Sequence, residues 1–549
     1  MHDLIREHAR ALAARDDPAR DQATERLLDY YQHTAALAES RLARQSRTRS
    51  APPTPSADVP KLLDSTRARA WARAERANLL ACLDQATQTG QHARVVALTA
   101  GVAALLHLDG PWTDAVTRQA AAVRSARQIG DRLGEADALN QLAIVRRLTD
   151  DNAGAERALA EARDIYRDLG NRVGQANVAN NLGTLRLKTD DFPGAVEALG
   201  EALEICRDLG DRLGQANALK NLASARSLTN DFTGAARAAE EALGMHRDLG
   251  NRLGQAGALT ELGGLWSITG DLAGAARALA EALDIYRDLG DRLGQANALI
   301  DLGVNRQESA DYPGAADALA EALDISRDLG DRFCYANALT YLGELRRITG
   351  NYQDAARLLD DALRKWRDLG NRLGQANALF YLGSVRRLTG EYADAARLLD
   401  EALGLYGGVD DQFGRAITLS AVGGVRRLTG DYPGAAQALA EALDICRASG
   451  YGGNGLTEVL NETGALHRAR GDLGQAGDCH REALDIAKKS GSIRDEACAL
   501  AGLGRCALAA GRTADAITAL RQAQEIFQRI GAAEAPDLFA ELDALTGPP

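Results

Sequence analysis

The sequence predicts an all-α solenoid of about ten helix-turn-helix repeats. Three observations carry this expectation. A forty-residue text starting at Asn171 (NRVGQANVANNLGTLRLKTD, then DFPGAVEALGEALEICRDLG) returns from Asp211, Asn251, Asp291, Asp331, Asn371 and, more loosely, Asp411; a period of this length marks a repeat architecture. Within each unit apolar residues recur at three- and four-residue steps, as at Ala176, Ala179, Leu182 and Leu187, then Phe192, Ala195, Leu199, Ala202 and Leu203. That is the spacing of helix faces, not of strands. Finally, a small residue stands near the middle of each first helix: Ala143, Gly183, Ala223, Gly263, Gly303, Gly343, Gly383, Gly423, Gly464 and Gly504. It allows close stacking, which helix pairs need because one pair alone cannot bury its apolar faces.

Taken in order, residues 1–45 read as a helical N-terminal segment rich in Arg and Glu. Residues 46–60 (SRTRSAPPTPSADVP) form a Pro/Ser-rich linker. Residues 61–130 are a helical capping region in which 91–130 resemble a degenerate repeat, turning at Gly110-Pro111-Trp112. The array occupies 131–530, with one extra residue before Gly464, and residues 531–549 supply a capping helix from Pro536 to Thr546 and a tail. Inside a unit the turn falls on Gly270, Gly350, Gly390 or Gly430, or on Asp190 and Asn230 at the same place. These residue types accept the left-handed backbone that ends a helix. Between units, Gly170-Asn171, Gly210-Asp211 and Gly290-Asp291 close one helix and cap the next. Gly407–Asp410 and Gly450–Gly455 depart from the pattern, and 407–455 reads equally as a hinge or as a merely longer loop.

Composition limits the function classes. The net charge of −12 argues against a general nucleic-acid footprint, so direct nucleic-acid binding is not expected. The seven cysteines are scattered, odd in number and form no C-x-x-C pair, as expected of buried free thiols in a reducing compartment. The opening residues lack the apolar stretch of a secretory signal, and no run is long enough for a bilayer span. The expected location is therefore cytoplasmic, with no membrane partner. No H-E-x-x-H, Cys/His zinc spacing, G-x-S-x-G or G-x-x-x-x-G-K-[ST] occurs. The expectation is a protein that is not an enzyme, with no catalytic residue, no cofactor and no metal.

Leu182-Gly183 followed by Ala195, Leu199 and Ala202, with the aromatics Phe192, Tyr312, Tyr352, Tyr392 and Tyr432, resembles the tetratricopeptide repeat. The forty-residue period is similar to the longer variant of kinesin light chains and Pins-type G-protein regulators. The resemblance implies a right-handed superhelix with a concave groove lined by the first helices, in which asparagines hold a ligand's peptide backbone. Asn177, Asn217, Asn297, Asn337 and Asn377 stand at the matching position, with Asp137 in the first repeat. A carboxamide both donates and accepts, so it pairs with an amide whatever the ligand's sequence. Asn180, Asn181, Asn221, Thr260, Thr340, Tyr341, Phe380 and Tyr381 share that face. The alternative is that these residues cap local backbone or pair between adjacent helices.

Beyond the small residue lies an arginine column, Arg146, Arg186, Arg226, Arg306, Arg346, Arg386 and Arg426, where most of the family carries an aromatic. Pairing with second-helix carboxylates is the favoured role for it. A second set, Arg147, Arg347, Arg387 and Arg427, is expected to face a ligand, and forked guanidinium groups suit an acidic segment. The predicted function is protein–protein recognition as a scaffold or sensor in signalling or regulation, with a protein or peptide in the groove.

The chain's start suggests an alternative. Met1-His2-Asp3-Leu4 resembles the MHD motif that closes the winged-helix part of NB-ARC nucleotide switches (STAND ATPases). Leu27-Leu28-Asp29-Tyr30-Tyr31 and Glu75-Arg76-Ala77-Asn78-Leu79 are similar to segments that follow it in actinobacterial regulators. The resemblance implies a winged-helix remnant and a role as the C-terminal regulatory part of an ADP/ATP-switched transcriptional regulator, which requires a P-loop upstream of Met1.

Overall fold

The structure, a computed structural model, describes residues 18–42, 45, 46, 48, 60–109, 112–448 and 454–546. All regular elements among them are α-helices. They divide into two compact units, Met1–Asn181 with Glu204–Gly214, and Leu182–Leu203 with Gln215–Pro549.

In the first unit a long helix, Pro18–Leu42, packs against the degenerate repeat. That repeat has two short helices, His92–Gly101 and Ala103–Asp109, where later units have one, and then Trp112–Ile129. Gly101 marks the crossing: a Cβ there would lie 2.8 Å from that of Ala35. The predicted turn residues Gly110 and Pro111 lie outside the described residues, as does the whole of Met1–Leu4. Trp112 opens its helix and donates its indole N–H to the His107 carbonyl (3.1 Å). Regular pairs begin with Arg132–Leu148 and Asn152–Asp168.

In the second unit the predicted small-residue column meets a column of knobs. A Cβ on Gly183, Gly263, Gly303 or Gly343 would fall 2.4–2.7 Å from Cγ of Leu199, Leu279, Leu319 or Leu359, sixteen residues on. Ala223 is tolerated because its counterpart is Ala239. Against Gly464 the knob is a histidine, His480.

Turn chemistry follows the sequence. Gly270, Gly350, Gly390 and Gly430 have φ of 81–96°, and Asp190 and Asn230 take 61° and 65°. Asp or Asn caps both helices of most units; Asp291 and Asp311, for example, each accept from the backbone N–H three residues on, at 3.0 Å. The glycine at that third position of the first helix makes room for a large side chain from the preceding helix, as at Gly174 under Tyr166, Gly294 under Tyr286 and Gly374 under Trp366. One unit reverses the sizes: Ser326 replaces the large residue and Cys334 the glycine, and both are buried.

Two departures concern the late part of the chain. Gly407 and Gly408 do not interrupt their helix, which runs Tyr392–Gly408 at the length of its counterparts; 449–453 lie outside the described residues. The C-terminal helix, Ala535–Thr546, does more than cap the end. Leu538 and Leu542 join Leu520 and Phe527 in one core with Tyr312, Leu319, Leu345 and Ile348. The Ala533 N–H also donates to the Ile348 carbonyl (2.9 Å). Elsewhere in this unit Asp190 caps a distant helix. Its carboxylate accepts from the Arg372 N–H (2.6 Å) and the Asn371 side chain (2.8 Å), an anion at a helix N-terminus.

Candidate recognition face

The first-helix face of the first unit is already occupied, by the chain itself. Gln45, Ser46 and Thr48 lie along the asparagine positions of the first two regular units. The Asn177 carboxamide donates to the main-chain carbonyl of Ser46 (2.9 Å), and that of Asn171 to the carbonyl of Thr48 (3.2 Å). The Thr48 hydroxyl donates to Asp137 (2.6 Å), which also takes the Tyr166 hydroxyl (2.7 Å). Gln45 closes a ring of three carboxamides: it donates to Asn181 (2.7 Å), Asn181 to Asn140 (2.7 Å), and Asn140 back to Gln45 (3.1 Å). Asn140, Asn177 and Asn181 are all buried, and a buried carboxamide needs such partners.

In the second unit the equivalent positions are engaged differently. The side-chain oxygen of Asn377 accepts the Tyr406 hydroxyl at 2.6 Å, and that of Asn297 accepts from the Cys334 thiol at 3.1 Å. Asn217 and Asn337 are half-buried at the same register. Local pairing of the second-helix tyrosine with the ladder residue therefore recurs, at Tyr166–Asp137 and Tyr406–Asn377. Tyr341 packs beside the C-terminal core, and Tyr381 lies against Phe380 with ring centroids 5.1 Å apart. Burial raises the hydroxyl of Tyr341 to about 12 and pushes that of Tyr381 well above its ordinary value. Earlier on this face stand two carboxyls. Burial raises Glu261, although Lys220 and Ser224 oppose the shift; burial with Glu261 as neighbour pushes Asp301 up to about 8.

The arginines expected to face an acidic partner have partners inside the chain. Arg347 forks onto Glu344 through two 2.7 Å bonds, while Arg387 and Arg427 share Glu462 at 3.0 and 3.2 Å. All three side chains are largely buried, so an acidic ligand at this face would meet arginines that already hold a carboxylate of the chain. Burial alone would raise Glu462, but Arg387 and Arg427 hold it below the usual carboxylate range. The other arginine column ties several units together internally. Arg146, Arg186, Arg306 and Arg426 donate to the carbonyls of Gly154, Gly194, Gly314 and Gly434 at 2.8–3.1 Å, and Arg146 and Arg186 also stand 3.4 Å from the capping carboxylates Asp151 and Asp191.

Second-helix carboxylates also meet arginines at regular intervals, within one unit as in Arg252–Asp288 and Arg292–Asp328, both 3.0 Å, and between neighbouring units as in Arg287–Glu321 and Arg367–Glu401, both 2.9 Å. These pairs are exposed and individually worth little. Among the described residues no group of His, Cys, Asp or Glu is placed to hold a metal ion, and no helix is long and apolar enough to cross a membrane. The seven cysteines are free thiols.

The stacked helix pairs, their small-residue contacts and their capped turns define a helical-repeat solenoid protein. The chain belongs to the tetratricopeptide repeat family: the family model matches 94–168, 174–248, 334–407, 414–489 and 456–529, so the matched sequence begins inside the degenerate repeat. Among solved structures, a Rap protein complexed with competence and sporulation factor aligns with a TM-score of 0.52 at 16% identity, over 67% of this chain and 99% of that one. The apo form of RapI aligns at 0.41 with 14% identity, over 50% and 98%. A STAND signal transduction ATPase with a tetratricopeptide repeat sensor, from Pyrococcus horikoshii, aligns at 0.39 with 15% identity, over 62% and 52%. No curated protein sequence matches the chain.

Proposed function

We propose that this chain is a non-catalytic scaffold or sensor that holds an extended segment of a protein partner on its first-helix face, in a signalling or regulatory setting. The observation that carries the reading is the pair of bonds from Asn177 and Asn171 to the carbonyls of Ser46 and Thr48. There the carboxamides grip a peptide by its main chain, the mode that tolerates many ligand sequences. Asn217, Asn297, Asn337 and Asn377 offer the same group at later units. An acidic segment is a weaker candidate ligand, because it must compete with Glu344 and Glu462 for Arg347, Arg387 and Arg427.

Selection of displayed peptides on the full chain tests this. Wild-type protein should enrich peptides that share a register, and the triple variant Asn177→Ala, Asn217→Ala, Asn337→Ala should lose the enrichment while keeping its helical melting curve. Equal enrichment on both proteins would sink the asparagine ladder.

A further inference from the structure

We infer that Gln45, Ser46 and Thr48 are a built-in occupant of the asparagine face, and that the external ligand of this face is a peptide with the same chemistry: a side-chain amide followed three positions later by a hydroxyl, Gln-x-x-Thr or its close equivalent. The inference rests on the proposed peptide-binding reading and names both its ligand and its regulation.

Main-chain and side-chain contacts divide the work. Carbonyls of Ser46 and Thr48 take donors from Asn177 and Asn171; any peptide supplies such carbonyls. The Gln45 amide and the Thr48 hydroxyl are the parts a ligand must match. Gln45 completes the carboxamide ring with Asn140 and Asn181, whose donors and acceptors are buried. A side chain without an amide leaves that ring open and two buried groups short of a partner, which is how a polar pocket rejects an analogue lacking the matching group. The Thr48 hydroxyl faces Asp137, an ionisable acceptor where later units carry asparagine. A carboxylate at that place favours a donor and repels an acid, so the ligand position opposite Asp137 takes a hydroxyl and not Asp or Glu.

The segment also sits close to its anchor. Only two residues separate Gln45 from Leu42, the last residue of the first-unit helix Pro18–Leu42. A segment tethered so closely acts at an effective concentration on the order of millimolar. A free ligand must displace it, so its apparent affinity is lowered by the fraction of molecules in which the face is vacant.

The test uses the full chain and a fluorescent peptide copying residues 42–52, LARQSRTRSAP, with binding read by anisotropy. One protein carries Gln45→Ala with Thr48→Ala. A second replaces residues 44–50 by a Gly/Ser stretch of equal length, so that a folding fault in either is recognised from the other. Both should bind the peptide at least tenfold more tightly than wild type. Adding Asn177→Ala should undo the gain, and a peptide with Ala at the Gln and Thr positions should bind severalfold more weakly. Equal, Asn177-dependent affinity for wild type and both released proteins would overturn the built-in occupant while leaving the peptide-binding face intact. Equal binding of the native and alanine peptides to the released proteins would overturn the Gln-x-x-Thr chemistry. Failure of every protein to bind the peptide would overturn this inference, and if displayed peptides also fail to enrich, the peptide-binding reading falls with it.

Discussion

Side-chain size is matched across each stacking contact, and the matching explains the exceptions. Tyr166, Tyr286, Trp366 and Tyr406 each cover a glycine eight residues on. Where Ser326 stands instead, Cys334 fills the space. Ser326→Tyr alone should therefore overpack the site and lower stability by about 2 kcal/mol. Combined with Cys334→Gly it should recover most of that loss, since the new hydroxyl has Asn297 at the position that Asn377 holds for Tyr406. A double-mutant cycle from denaturant unfolding measures the coupling; additive effects would mean that the two positions do not share a packing site. The mid-helix glycine column was legible in the sequence, because it recurs alone at a fixed period. This second column was missed, although the signal was present: a large residue and a glycine eight apart, exchanged for Ser and Cys together in one unit. The pairing of Arg347 with Glu344, three residues away, was open to sequence, but that of Arg387 and Arg427 was not, because Glu462 lies 75 residues from Arg387 and only the stacking of units brings them together.

At the level of the helix pair, one knob differs in kind. His480 occupies the leucine position against Gly464, with its Nδ1 3.0 Å from the Asn461 side-chain oxygen. Burial, and then Arg468 and Arg505, push its pKa down to about 4. The folded state therefore holds the imidazole neutral, whereas the unfolded chain takes up a proton near pH 6.5. This pair should lose stability as pH falls from about 6.5 to 4, to an extent of up to about 3 kcal/mol at roughly 1.4 kcal/mol per unit. His480→Leu should flatten that part of the profile, so the difference in Tm between variant and wild type should widen on acidification through this window. A constant difference would show that His480 does not titrate with unfolding. Helix boundaries and caps at this scale were readable because Gly, Asp and Asn sit where backbone geometry demands them. Gly407 and Gly408 stay helical although glycine weakens a helix by about 1 kcal/mol, because Leu398, Leu399 and Tyr406 of the same helix are buried.

Across the second unit, contacts depart from the nearest-neighbour rule of repeat arrays, in which each repeat rests only on the next. The core that joins Phe527 and Leu538 to Tyr312 and Ile348 links positions about two hundred residues apart, as does the Asp190 cap on the helix Arg372–Leu388. Removing residues 532–549 should accelerate amide hydrogen exchange in the helix Arg332–Ile348 as well as in Thr513–Ile530. A strictly nearest-neighbour array would show the change only in the latter. The period and helix pairing that build the array were legible from sequence; these long-range contacts were not, since they arise from how the stack coils and no local pattern encodes them. The arginine tie has a different reach. Arg186 fastens to Asp191 and Gly194, so a forty-residue block with an arginine at this place carries its own fastening within its own text. A gene that gains or loses whole blocks by slippage keeps every such tie intact in the copies that remain. Blocks whose residues hold distant ones, such as that of Asp190, are anchored in number as well as in place.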